Sequence, residues 1–368
     1  MKKIVYTLIS FVLIFMQFKL NADALDVSAQ SAVLIDAYSG KIVYEKNAHT
    51  KMGMASTTKI MTALTALSET DVDLLDENIN ISDKAIGIEG SSIYLTKGEK
   101  LSMRQLLYAL LLQSANDAAT AIALEVSGSV EEFAKLMNDK AKDMGLCNSN
   151  FTNPHGLYDE NHYTTAYELA VITKNALEND IFKEMVSTQK AIIPLNNDEG
   201  KRVLVNHNKL LKIYDGAIGV KTGFTKKTGR CLVSAAQRGD TTLIAVTLNA
   251  PNDWNDHKNM LDNGFDKIVT HTLATPNSLN YKVPVVGGNT DYLTVTNIDG
   301  LKYTCEKDSC NITSELILSR FLFAPITNGE VIGQAVFYNN EKEIGRVDLI
   351  SQSEITLKPQ KKKLFGLI

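Results

Sequence analysis

The sequence predicts a multi-domain α/β protein. One domain is an antiparallel sheet closed by its own N- and C-terminal segments, with a block of helices inserted between them. A smaller all-β domain follows. Three observations carry this. The 368 residues, 44% hydrophobic and 22% charged, are globular in composition and long enough for about two domains. Strand-like runs come first, helical periodicity then dominates, and strands return after about residue 213. From about 276 onward only short strand-like pieces remain.

The first 24 residues stand apart. Lys2 and Lys3 precede an apolar run from Ile4 to Phe18, and Ala22-Asp23-Ala24 places small residues where a signal peptidase reads them. This is the pattern of a secretory signal peptide cut after Ala24, and the apolar run is short for a spanning helix. Cleavage removes Lys2, Lys3, Lys19 and Asp23, so the formal net charge moves from −4 to −6. Neither value suits a nucleic-acid binder, which needs a basic face. Export makes disulfides permissible. Cys305 and Cys310 flank a polar turn and suit a local bridge, whereas Cys147 and Cys231 are expected as buried free thiols. The six His show no metal-ligand spacing, so no metal is expected.

The mature chain then divides at 25–273, 274–357 and 358–368. Residues 32–46 read as a hairpin turning at Ser39-Gly40. A helix follows Ser56, a second starts at Ser102, and a third runs from Asp117 to Ser127-Gly128. Further helices cover 130–144 and 164–178, the latter opened by Thr164 or Thr165. Strands are expected around Val220, over 232–236 and over 242–248, the last two joined at Arg238-Gly239-Asp240. A helix through Trp254, Met260, Leu261 and Phe265 closes this domain. The second domain is expected to hold strands near 281–286, 292–295, 315–318, 331–338 and 344–349.

Three short motifs carry the chemistry. They are Ser56-Thr57-Thr58-Lys59, Ser114-Ala115-Asn116 and Lys221-Thr222-Gly223. Decoys exist at Ser187/Lys190, Ser278-Leu279-Asn280, Ser309-Cys310-Asn311 and Lys227-Thr228-Gly229. Only Ser56, then Ser114, then a Lys-Thr-Gly keeps the required order. Lys221 follows a turn into a short strand, while Lys227 falls in a hairpin loop, so Lys221 is preferred. Taken singly, each motif also fits a bland role: Ser56 as an N-cap, Ser114-Ala115-Asn116 as a turn, Lys221-Thr222-Gly223 as a strand end.

Together they fit nucleophilic catalysis. A serine hydroxyl needs an adjacent base, and Lys59 lies one helical turn from Ser56. A Lys shielded from water and near another cation loses its proton readily. Ser114 suits proton relay to a leaving group, and Asn116 suits holding a substrate amide and orienting Lys59. Lys221 and Thr222 offer a cation and a hydroxyl to a carboxylate. Gly223 lets a substrate backbone approach the strand. The N–H groups of Ser56 and Phe224 would form the oxyanion hole.

At this point the chain resembles the low-molecular-mass penicillin-binding proteins, the serine-type D-alanyl-D-alanine carboxypeptidases. Beyond the motifs, the resemblance includes Glu89-Gly90-Ser91-Ser92-Ile93-Tyr94-Leu95, Asn153-Pro154-His155-Gly156-Leu157 and Tyr163-Thr164-Thr165-Ala166. It covers about 30–265 closely and the β domain more loosely. It implies a β-lactamase/transpeptidase-like catalytic domain followed by a β-sandwich. It also implies an enzyme that removes the last D-alanine from peptidoglycan pentapeptide stems through an acyl-enzyme on Ser56. Penicillins would acylate the same serine, and no metal or organic cofactor would be needed. The resemblance further places 82–98 and His155-Gly156 near the cleft, and sets His207 where some members carry Arg.

Two other functions share these motifs. A class A β-lactamase needs a deacylating Glu between the second and third motifs; Glu160 and Glu168 fall there, without the Glu-x-x-x-Asn pattern. A non-catalytic penicillin-binding wall protein would not need all three motifs intact. The tail, Lys361-Lys362-Lys363-Leu364-Phe365-Gly366-Leu367-Ile368, suits peripheral contact with the outer face of the membrane, although eight residues make a weak anchor.

Overall fold

The computed structural model describes residues 25–195 and 200–359. The leader over 1–24 and residues 360–368 of the tail lie outside the described residues.

The first hairpin is β1 (Ser31–Asp36) and β2 (Ile42–Lys46). A 3-10 turn (Ala55–Thr58) leads into helix α1 (Lys59–Glu69). The small pair β3 (Asn78–Asn80) and β4 (Lys100–Ser102) brackets the loop over 82–98. Helices α2 (Met103–Leu112), α3 (Asn116–Ser127), α4 (Val130–Asp143), α5 (Ala166–Leu177) and α6 (Asp180–Ser187) complete the inserted block. Their starts follow the sequence. Ser102 and Gln105 form a reciprocal capping box, and Ser129 and Thr165 cap α4 and α5.

The chain returns through the hairpin β5 (Lys190–Leu195) and β6 (Gly200–Val205), the short helix α7 (Leu210–Ile213), and strands β7 (Ala217–Thr225), β8 (Gly229–Arg238) and β9 (Thr241–Leu248). Helix α8 (Asp253–Lys267) follows. The antiparallel sheet runs β2-β1-β9-β8-β7, with Ser31 opposite Leu248. Every residue of β1 is buried. Alternation explains this: Val33 and Ile35 enter the core with the inserted helices, while Ala32 and Leu34 enter the core under α8. The sheet is therefore a middle layer, with β2 and β7 as its two edges.

Strand β10 (Ile268–Ala274) leaves α8 and pairs with β13 (Leu301–Glu306). The boundary expected at 273/274 falls at the end of β10. The remaining strands are β11 (Asn280–Val286), β12 (Tyr292–Thr296), β14 (Ile312–Leu318), β15 (Leu322–Phe323), β16 (Val331–Asn339) and β17 (Lys342–Ser351). They form a sheet ordered β14-β16-β17-β12-β11-β15, and Ala274 of β10 shares a small core with Ala335, Phe337 and Val347 of that sheet. At the junction of the two parts, buried Asp36 accepts from Thr304 Oγ1 at 2.7 Å and Thr270 Oγ1 at 3.4 Å.

Cys305 and Cys310 form a disulfide, and Cys231 is a buried free thiol. Cys147 corrects the expectation: it is exposed. After α4 the chain passes Gly145 in a left-handed conformation, and in the extended segment beyond it Leu146 points inward and Cys147 outward.

Candidate active site

Ser56 lies in the 3-10 turn and makes no capping hydrogen bond, so its hydroxyl is not occupied as an N-cap. Lys59, the first residue of α1, points back beneath it. Its Nζ lies 3.1 Å from Ser56 Oγ, 2.7 Å from Asn116 Oδ1 and 2.6 Å from the His155 carbonyl. Lys59 is fully buried, and its pKa is held well below the usual lysine value, first by desolvation and then by the charge of Lys221. The buried Asp117 carboxylate opposes the shift.

Ser114 and Asn116 occupy the break between α2 and α3. Ser114 takes a left-handed conformation (φ 59°), which turns the chain sharply enough to set both side chains on the cleft side. The turn is fastened to the loop over 82–98. Asn116 donates from N to the Ser91 carbonyl (2.7 Å) and from Nδ2 to the Glu89 carbonyl (2.6 Å). Asp117 accepts from Ser92 Oγ (2.5 Å), the Ile93 N–H (3.2 Å) and the Leu95 N–H (3.1 Å). Asp117 was not singled out in the sequence.

The third wall is β7. Lys221 is buried, and burial lowers its pKa to about 7. Its Nζ donates to the Thr222 carbonyl at 2.9 Å. A Cβ on Gly223 would lie 3.0 Å from the backbone nitrogens of Ser56 and Thr57, so only glycine lets this strand close against the turn that carries Ser56. Phe224 is 63% exposed. The rival Lys227-Thr228-Gly229 sits in the β7–β8 turn, with Lys227 Nζ over the Tyr158 ring at 5.2 Å.

The floor is built from 152–162. A Cβ on Gly156 (φ 84°) would lie 2.0 Å from the Ala55 carbonyl oxygen. His162 Nδ1 accepts from the Thr152 N–H at 3.0 Å, so the ring proton sits on Nε2, 2.8 Å from Thr58 Oγ1. Thr58 in turn donates to the Ala55 carbonyl at 2.7 Å. Burial pushes the pKa of His162 down to about 4 and that of His155 to about 3, which keeps both neutral beside Lys59. His162 had no sequence signal, because its role arises from partners at 58 and 152.

These walls enclose a cleft of ≈ 330 Å³ lined by Ser56, Ser91, Ser114, His207, Thr222, Gly223 and Phe224, and beyond them by Arg230, Cys231, Asp253 and Trp254. The structure thus brings Ser56, Ser114, Thr222, Gly223 and Phe224 to one cavity, with Lys59 and Asn116 joined to it by hydrogen bonds and Lys221 buried on the same strand. His207 lines it too, its pKa lowered by burial and by the Lys221 charge. Arg230, Asp253 and Trp254 were not anticipated.

Residues 17–252 match the family profile described as D-alanyl-D-alanine carboxypeptidase, peptidase S11, and residues 269–357 match that of the penicillin-binding protein 5 C-terminal domain. The carboxypeptidase DacF of Bacillus subtilis is 35% identical over 342 residues, covering 91% of this chain and 86% of that protein. The structure of penicillin-binding protein 5 from Haemophilus influenzae superposes with a TM-score of 0.69 at 26% identity, over 91% of this chain and all of the other. The Streptomyces K15 DD-transpeptidase gives a TM-score of 0.62 at 32% identity, over 65% and 98%. The chain belongs to the D-alanyl-D-alanine carboxypeptidase family, the low-molecular-mass penicillin-binding proteins.

Proposed function

We propose that this carboxypeptidase works through an acyl-enzyme on Ser56. The observation that carries the reading is a water-shielded, proton-poor Lys59 amine 3.1 Å from Ser56 Oγ. Ser56 Oγ attacks the carbonyl carbon of the D-Ala-D-Ala amide while its proton passes to Lys59. The N–H groups of Ser56 and Phe224 hold the oxyanion. The C–N bond breaks, and Ser114 relays a proton to the departing D-alanine. Asn116 fixes Lys59 and the substrate amide. Lys221, Thr222 and His207 take the terminal carboxylate, and Gly223 leaves room for the peptide backbone. Water then hydrolyses the ester, and penicillins enter at the first step.

A β-lactamase would need a Glu at the cleft to activate its water, and among the described residues none lines it. Both Glu168 oxygens are engaged away from the cleft, with the Cys147 N–H (3.1 Å), the Asn148 N–H (2.8 Å) and Ser149 Oγ (2.5 Å), and Glu160 is exposed. The leader supports an extracytoplasmic site of action, and the basic, apolar tail supports peripheral membrane contact.

Purified protein incubated with a D-Ala-D-Ala-terminated peptide and with labelled penicillin tests the reading. D-alanine release with a long-lived label is expected, both lost in Ser56→Ala. Rapid penicillin turnover would favour the β-lactamase, and labelling without D-alanine release the binding protein.

A further inference from the structure

Arg230 is the second residue of β8 and stands opposite Phe224 of β7. Two of its nitrogens are committed: Nε donates to Asp253 Oδ2 and Nη2 to Asp253 Oδ1, each at 3.0 Å. That fork fixes the guanidinium plane. Asp253 is nearly buried, and its Oδ1 also accepts the Trp254 N–H at 2.9 Å, so both of its oxygens are engaged. The Arg230 side chain is 44% exposed, and its Nη1 has no hydrogen-bond partner among the described residues. A second cation stands close by: Lys209 Nζ is 6.0 Å from the Trp254 ring centroid. Among the residues lining the cleft, Asp253 is the one acid. This end of the cleft therefore presents a fixed guanidinium whose Nη1 edge is unspent, with Lys209 as a further cation nearby.

Strand direction says which part of a peptide arrives there. With the terminal carboxylate at Lys221 and Thr222 and the scissile carbonyl at Ser56, the preceding residue runs along the free edge of β7 past Gly223 to Phe224. Its side chain then meets Arg230. The geometry points to Arg230 as a specificity-determining residue that reads a side-chain carboxylate on the residue before the D-Ala pair, as in a diaminopimelate-type stem. This rests on the carboxypeptidase reading above and adds the substrate class. A planar guanidinium held by one carboxylate can offer its free Nη1 edge to another at charge-assisted hydrogen-bond strength.

The test compares two peptides that differ in one group. Each ends in D-Ala-D-Ala preceded by diaminopimelate, with the side-chain carboxyl free in one and converted to the carboxamide in the other. The wild-type protein should favour the free acid by about tenfold or more in kcat/KM. Arg230→Gln should remove most of that preference, and Arg230→Lys should keep part of it. Labelling by penicillin reports that each variant is folded. Equal wild-type rates on the two peptides would overturn the inference and leave the carboxypeptidase reading standing. A preference that survives intact in a penicillin-labelled Arg230→Gln would also overturn it. Cleavage of neither peptide by the wild type would instead overturn the carboxypeptidase reading and this inference with it.

Discussion

Two buried lysines on opposite walls of one cleft tie activity to pH. In the proposed mechanism Lys59 must be unprotonated to act as base, and Lys221 must be protonated to hold a carboxylate. The lowered Lys59 pKa and the Lys221 value of about 7 describe the free enzyme, which is what kcat/KM reports. We expect kcat/KM to fall as pH rises through about 7, because Lys221 then loses its charge before substrate arrives. Bound substrate favours the charged form, so the same limb in kcat should lie higher. Lys221→Arg should move the kcat/KM limb upward, because a guanidinium stays protonated. A pH profile with the alkaline limb unmoved in that variant would refute the assignment. The four residues central to the proposed mechanism were legible from short spacings: one turn for Ser56 and Lys59, one break for Ser114 and one strand for Lys221. His162, Asp117 and Arg230 were not. Each acts through a contact with a distant stretch of chain, which no local pattern records.

Five of the inserted helices announced themselves through apolar spacing and start signals, and the structure places helices at those positions, whereas α6 was not anticipated. The β5–β6 hairpin did not. Its exposed Ile192, Val203 and Val205 alternate with few buried residues, and Pro194 argues against a strand. Yet the hairpin carries Arg202, whose guanidinium pairs with Glu99 and donates to the carbonyls of Ile93 (2.8 Å), Tyr94 (3.2 Å) and Pro194 (3.0 Å). It thereby latches the hairpin to the loop that supports Asn116. Both partners are almost fully buried. Arg202→Met should lower stability by about 3–5 kcal/mol, since the Glu99 charge remains without its partner. Adding Glu99→Leu should recover part of that loss in denaturant melts. A double variant no more stable than the single would rule out the stranded charge as the cause.

The two-part plan of the whole molecule followed from the order of strand and helix patterns, because that order reflects chain connectivity. The join did not, since β10 belongs by pairing to β13 although it continues directly from α8. The tail can be tested at this scale: deleting 359–368 should shift the protein from the membrane fraction to the medium, and an unchanged distribution would remove the anchor. The sheet order carries a further consequence. Strand β1 finds its partner β9 more than 200 residues later, and Ser28 Oγ bonds Asp256 Oδ2 at 2.7 Å across 228 residues. A chain made from its N-terminus must therefore hold a strand destined for full burial with only β2 beside it while the whole helical block is completed. Such long-range closure is slow. The β9-facing edge of the nascent β1–β2 hairpin therefore stays unpaired until residue 248 has appeared, the kind of open edge that invites aggregation.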